Sequence, residues 1–305
     1  MIVKDVLKPG YPFVEAIASV LPICDEFLLS DGFSTDGTFE VVQKLAELNR
    51  KIKVHRQKWP EKKNINVIGD VTNAIRQKCK YDYIFSVQAN EIIHEDSLKF
   101  IEALPEMCPD AQAFSFPYVH LYRTYKFSEE FRLRFARNLP SIGATGDAWT
   151  LGPSKDFIVS ETFKSLRKPR KFFRYVARGI EWTYANSCGN ILSRAVYLPK
   201  PVFRYWSLFP RNCLEKSVRH AEMFNIPEFN ETIKTLRNHL NDDPSSFWKI
   251  AVEMARQGPL GYKYPEALGV VKIEDHPKLM QGLISDSDAK SYSVREKILA
   301  SIRGL

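Results

Sequence analysis

Long apolar runs are missing from this chain: nothing in its 305 residues approaches the roughly 18 consecutive apolar positions of a membrane span. The opening Met-Ile-Val-Lys-Asp also lacks the cationic-then-apolar pattern of a secretory signal. Cysteine pairing is missing as well. Cys24, Cys79, Cys108, Cys188 and Cys213 are odd in number, scattered and never spaced Cys-x-x-Cys, so neither a disulfide framework nor a thiolate zinc site follows. They read as core thiols of a reducing compartment, and the expected location is cytoplasmic. Repeats and low-complexity tracts are absent, which excludes solenoid and fibrous classes. A Gly-rich phosphate loop near the N-terminus is absent too. Lys8-Pro-Gly10-Tyr11 is too short to be one, which argues against a nucleotidyltransferase.

What remains is an ordinary globular composition with a net charge of +8. That charge favours anionic partners, including nucleotide phosphates, lipid headgroups, phosphorylated acceptors and nucleic acid, without selecting among them. The length suits one large α/β domain with additions, or two small ones.

The most informative segment is Asp25-Glu-Phe-Leu-Leu-Ser-Asp31-Gly-Phe-Ser-Thr-Asp-Gly-Thr38. An apolar run ends in an acid, then a turn rich in Gly, Ser, Thr and Asp. Phe39, Val41, Val42, Leu45 and Leu48 follow at helical spacing. Strand, acidic tip, turn and helix form the βα unit of an open parallel sheet, which binds ligands at the carboxyl ends of its strands. The plainer reading is a capped turn, with Asp36 or Thr38 capping the helix and Gly37 relieving the backbone. Asp31 precedes that cap and has no expected part in it.

Residues 1 to about 120 alternate strand and helix patterns. Phe13, Val14, Ile17, Val20 and Leu21 make a helical stripe, residues 51–56 alternate as a half-exposed strand, and Val67, Ile68, Val71, Ala74 and Ile75 mark a helix. Residues 82–88 and 111–119 read as further strands. The pattern predicts a doubly wound, mostly parallel sheet. Residues 121–210 are richer in aromatics and Arg, with strand-like runs at Phe131–Phe135 and Ile191–Leu198. From 211 to 305 the pattern is helical: Asp243-Pro244 offers an N-cap with Pro at the first position, and Gly258 closes that helix.

The Asp31 segment resembles the Asp-x-x-Ser-x-Asp-Gly-Thr signature of the family 2 glycosyltransferases, which have a GT-A fold. The resemblance implies that Asp31 contacts the nucleoside of a sugar-nucleotide donor, most readily a UDP-sugar. It also implies transfer to a hydroxyl with inversion. Asn73 matches the family's Asn ahead of the next strand and would serve the donor or the fold around it. That strand runs into Gln88-Ala89-Asn90-Glu91, where relatives carry Asp-x-Asp. Two carboxylates there would hold Mg²⁺ or Mn²⁺ against the donor diphosphate, whereas Gln and Asn offer only neutral carbonyl oxygens. The metal site is therefore expected to be weakened or lost, and no metal ligand is assigned. Val202-Phe-Arg204-Tyr-Trp206, followed by Pro210-Arg-Asn-Cys-Leu-Glu-Lys216, resembles the family's His-Tyr-Gly region and the helix after it. Arg204 stands where relatives have His. A guanidinium near two phosphates offsets the charge a metal would, so Gln88, Asn90, Glu91 and Arg204 form the expected diphosphate site. The rival readings are a surface Arg and a degenerate, inactive pair of amides.

Inverting transfer needs one carboxylate as general base. Asp147 is ranked first and Glu181 second, ahead of Asp156 and Glu161, with Trp149 and Trp182 beside them as sugar-stacking or core residues. Lys164 to Arg178 holds seven basic residues and no acid, interleaved with Phe172, Phe173 and Tyr175. It reads as a solvated face, an acceptor loop for an anionic substrate, a membrane-surface patch or a nucleic-acid contact. The resulting expectation is a metal-independent glycosyltransferase. A non-catalytic GT-A binding module and a nucleic-acid-binding protein are its rivals.

Overall fold

The computed structural model describes residues 1–60, 67–144, 146, 148, 150–153, 172–177, 180–187, 191–224, 229–257 and 269–285. The chain is a mixed α/β protein. Its first sheet is fully parallel: β1 (Ile2–Val3), β2 (Phe27–Asp31) and β3 (Ile52–Arg56), in that order. All five positions of β2 are buried, as its unbroken apolar run requires of a central parallel strand. In β3 only Ile52 is buried, which suits an edge. Helix α1 (Phe13–Val20) buries the predicted stripe of Phe13, Val14, Ile17 and Val20. Helix α2 (Thr38–Leu48) starts after Gly37, whose φ of +95° strains any residue with a side chain. Gly37 itself is the N-cap, in place of the expected Asp36 or Thr38; Asp36, one residue earlier, accepts the Thr38 N–H on its Oδ1 at 3.0 Å.

The remaining strands depart from the parallel expectation. β4 (Tyr83–Phe85), β5 (Glu91–Ile92), β6 (Ala113–Tyr122), β7 (Tyr125–Arg137), β8 (Ile142–Ala144), β9 (Leu151–Pro153), β10 (Phe172–Ala177), β11 (Ile180–Ser187), β12 (Ile191–Val196) and β13 (Val202–Ser207) follow along the chain. All but β8 and β9 form one eight-stranded mixed sheet; those two make a separate ribbon. On one side of β6 lie β12 and β13, both parallel to it; on the other lies β7, antiparallel. Strand β7 in turn carries β4 along its far edge, and β5 pairs with β13, both antiparallel. Tyr122 and Tyr125 face each other across Arg123-Thr124, and a connection that short joins only antiparallel strands. Strand β6 runs through residue 120, into the aromatic- and Arg-rich part of the chain.

The strand predicted over 82–88 ends at Phe85. Ser86 still donates its N–H to Arg134 O, but Gln88 then accepts the Glu91 N–H and closes a turn into β5. Helices α3 (Val67–Arg76) and α4 (Glu95–Met107) join α1 and α2 around the sheets. Phe114, Phe116, Tyr118 and Leu121 of β6 are fully buried in the main core, where each such side chain contributes about 1.5–3 kcal/mol.

The C-terminal part is helical as expected: α5 (Pro210–Phe224), α6 (Phe229–Asn238), α7 (Pro244–Gln257) and α8 (Lys278–Ser285). Asp243 caps α7, its Oδ2 accepting from Ser245 N and Ser246 N at 3.0 and 3.1 Å; Gly258 lies outside the described residues. A second core, with Tyr122, Phe127, Trp206, Phe247 and Trp248, binds α7 to the β6–β7 hairpin. Residues 269–277 return to that hairpin through Lys126 N to Gly269 O and Val271 N to Thr124 O. Among the described residues, no helix is long and apolar enough to cross a membrane.

Candidate functional site

Asp31 ends β2 at the carboxyl edge of the parallel sheet. Its carboxylate is fully buried and already engaged. Ser34 N–H reaches both oxygens at 3.2 Å, and Arg56, in register on β3, donates from Nε to Oδ2 at 3.1 Å. Asp31 therefore helps to hold the turn, a duty not expected of it. Arg56 is sandwiched between Phe33 and Phe39, with its guanidinium carbon 4.2 and 3.9 Å from their ring centres. Phe33 sits at φ +58° and is half exposed, a left-handed conformation that costs an aromatic residue about 1 kcal/mol or more.

A cleft of about 760 Å³ opens beyond this edge, between the ends of β1 to β3 and helix α5. Lys4, Lys8, Phe33, Trp59, Arg219 and Arg237 are among its walls, along with the acids Asp5, Glu215 and Glu222. Its shape depends on Gly32: a Cβ there would meet Trp59 Nε1 at 2.6 Å and Lys4 Cβ at 2.9 Å, so the indole lies directly on the backbone of the signature turn. Lys4 Nζ in turn lies 5.7 Å from the indole centre. Basic groups and aromatic faces at strand carboxyl ends suit a phosphorylated, ring-bearing ligand. A smaller cavity of about 400 Å³ lies at the amino ends of β2 and β4, the end of a parallel sheet that does not ordinarily bind ligands.

A second feature is a buried ion cluster on one face of the mixed sheet. Glu91 and Arg204 face each other across β5 and β13, and Arg204 is in register with His120 of β6. Strand alternation puts Glu130, Arg132 and Arg134 of β7 on a single face. Glu91 Oε1 has Arg134 Nη2 at 2.6 Å, Arg204 Nε at 3.8 Å and Arg132 Nη1 at 4.0 Å. Its other oxygen accepts the Gln88 N–H at 3.0 Å. Gln88 Oε1 accepts from Arg204 Nη2 at 3.1 Å, and its amide donates to Ala148 O at 3.3 Å. Arg134 donates to the same carbonyl at 2.7 Å. Arg132 forks onto Glu130, which also takes His120 Nε2 at 2.7 Å.

The electrostatics follow from this crowding. Burial and the neighbouring Arg204 and Arg134 pull the Arg132 guanidinium down to about 10. Burial opposes the Glu130 charge, but His120 and Arg132 outweigh it and hold that carboxyl at about 2. Burial drives His120 down to about 3, leaving it neutral. Among the described residues, Glu91 and Glu130 are the carboxylates that meet these three guanidiniums, Glu91 fully buried and Glu130 partly so.

Of the sequence-predicted residues, Gln88, Glu91 and Arg204 come together. Asn90 does not join them: its side-chain amide donates to Tyr205 O at 2.9 Å while its own carbonyl accepts the Tyr205 N–H, bracketing β13. Asn73 clamps α3 to β8, donating to Ala144 O at 2.7 Å and accepting Ala144 N–H at 2.8 Å, so it serves the fold. Asp147, Trp149, Asp156, Glu161 and the stretch from Lys164 to Lys171 lie outside the described residues. Glu181 lies on β11 opposite Val176, with its side chain outside them.

Sequence reasoning missed Arg132, Arg134, Glu130 and His120. Glu-Phe-Arg-Leu-Arg has the period-2 signal of charges on one strand face, which reads equally well as solvated.

This donor set does not fit a divalent cation. Asn90 is turned away, and Glu91 is ringed by guanidiniums whose charge would repel a metal. Among the described residues no group of three His, Cys, Asp or Glu side chains converges on a common point. No protein-family model and no curated protein matches this chain.

Proposed function

We propose that the protein is a cytoplasmic glycosyltransferase of the GT-A type, similar to family 2, that transfers a sugar from a nucleotide donor, UDP-sugar first, to a hydroxyl without a divalent metal. One observation carries this reading. Gln88 and Arg204, two of the three positions where the chain departs from the resembled motifs, are 116 residues apart in sequence yet bonded at 3.1 Å, while the third, Asn90, bonds Tyr205 instead. Losing an acid and gaining a guanidinium at the same point in space keeps the site cationic without a metal.

In this mechanism the nucleoside lies in the cleft beside the Asp31 turn, and the diphosphate turns toward Arg204. The acceptor oxygen attacks the anomeric carbon while its bond to the diphosphate breaks. The hydroxyl proton passes to a carboxylate base, for which Asp147 and Glu181 stay the candidates. Arg204 stabilises charge growing on the departing phosphate, and Gln88 and Glu91 hold it in place.

The test is thermal-shift screening of UDP-, GDP-, dTDP- and CDP-sugars with Mn²⁺ or with chelator, followed by donor hydrolysis assays. Stabilisation with slow hydrolysis in chelator is expected, and Arg204→Gln should lower turnover by about 10²–10³-fold. Stabilisation without turnover would identify a binding module instead. Strict Mn²⁺ dependence would end the metal-free reading, and indifference to every nucleotide would end the whole proposal.

A further inference from the structure

Helix α5 sends Lys216 into the protein between two aromatic rings. Its amine lies 4.7 Å from the ring centre of Tyr11 and 4.1 Å from that of Trp206, and donates to Trp206 O at 2.9 Å. The Arg204 guanidinium lies 5.6 Å from the same indole centre, so the two cations share one tryptophan. Trp206 O is the only hydrogen-bond acceptor of this amine among the described residues, although a protonated amine has three N–H groups to place.

The groups around it come from three elements. Tyr11 belongs to the N-terminal loop, Arg204 to β13, and Cys213, Arg219 and His220 to α5 itself. Burial is the main influence lowering the affinity of the amine for its proton, and the positive charge of Arg204 adds to it. Two aromatic faces and a carbonyl pull the other way, toward the ammonium form. Among the described residues, the site thus offers a cation two aromatic faces and a carbonyl but no carboxylate.

We infer that Lys216 is a charge-adjusting residue: when the diphosphate of the donor settles on Arg204, Lys216 takes up a proton inside its aromatic cage. An anion there cancels the repulsion from Arg204 and favours the ammonium. Linkage then requires binding and proton uptake to strengthen each other. Lys216 touches no reacting atom in this scheme and acts through Arg204. The inference rests on the proposed diphosphate site, and its test separates the two.

Titration calorimetry at pH 8.0–8.5, in buffers of different ionisation enthalpy, uses UDP and sulfate as probes, both fully ionised there. The expected result is uptake of a fraction of a proton per ligand, and UDP affinity falling with rising pH by up to about tenfold per unit. Lys216→Arg, which keeps a permanent charge in the same cage, should bind UDP with no proton uptake and a flat pH profile. Lys216→Met should bind more weakly and also without uptake. UDP binding without uptake in the parent, or equal uptake in Lys216→Arg, overturns the inference while leaving the donor reading intact. Sulfate binding with uptake but no response to UDP upholds Lys216 and removes the sugar nucleotide. No response to either probe removes both.

Discussion

Asp31–Arg56 and Glu91–Arg134 are both carboxylate–guanidinium pairs at the end of a strand, yet they differ in almost every physical respect. Arg56 is about a third exposed, so water and salt screen its bond to Asp31. Glu91 and Arg134 are each about 1% exposed, and two more arginines press on the same carboxylate. The first pair holds the turn whose Gly32 and Phe33 line a cleft. The second is fixed and sets the charge of the interior. A buried pair is costly to break rather than valuable to have, because removing one partner leaves its mates unpaired in low dielectric.

The sharpest way to break the comparison is Glu91→Gln. It leaves Arg132, Arg134 and Arg204 without their common carboxylate and should cost about 3–5 kcal/mol in urea unfolding. A loss below 1 kcal/mol would mean that water reaches the cluster. Next in size is Asn90→Ala. It strips the side-chain bond to Tyr205 O, with an expected loss of about 1–2 kcal/mol and little change in nucleotide affinity if Asn90 only brackets β13. Arg56→Ala should cost about 1–2 kcal/mol, less than Glu91→Gln because one cation rather than a shared carboxylate is lost, while altering nucleotide affinity through Asp31. A stability loss as large as that of Glu91→Gln would erase the contrast between the pairs.

Acid sharpens the same contrast. His120 and His220 are both held at about 3 by burial, well below the ordinary 6.5. As pH falls below 6.5 the unfolded chain binds protons that these residues refuse in the folded state, so stability is lost from there down to about 3. The carboxyl of Glu130, held at about 2 against an ordinary 4.5, adds a loss over the lower part of that window. Urea midpoints should fall steadily as pH drops below 6.5, with His220→Gln flattening the fall. A midpoint unchanged between pH 7 and 4 would contradict the buried cluster.

The parallel half of the fold was legible because its signals are local. An apolar run with an acidic tip gave β2, a period of 3.6 gave α1 and α3, and Asp36-Gly37 gave the start of α2. The mixed sheet was not legible, because its order depends on partners far apart in the chain. Nothing near residue 113 announces that β12 and β13 will share one edge of β6. The candidate site divides in the same way. Gln88, Glu91 and Arg204 stood out where the chain departs from the resembled motifs, whereas Arg132 and Arg134 resembled surface charge until Glu91 was found between them. Asn73 and Asn90 looked like ligand contacts because an amide's hydrogen-bonding capacity is visible in sequence but its partners are not.

The return of residues 269–277 to the hairpin carries a practical consequence. His276 is fully buried and meets the Tyr205 hydroxyl at 2.7 Å, while Arg123 reaches Ile284 O at 2.7 Å from the β6–β7 connection. A chain cut before residue 269 would leave that phenol facing water on the strand that bears Arg204. Trimming the tail to ease crystal growth would therefore alter that strand itself.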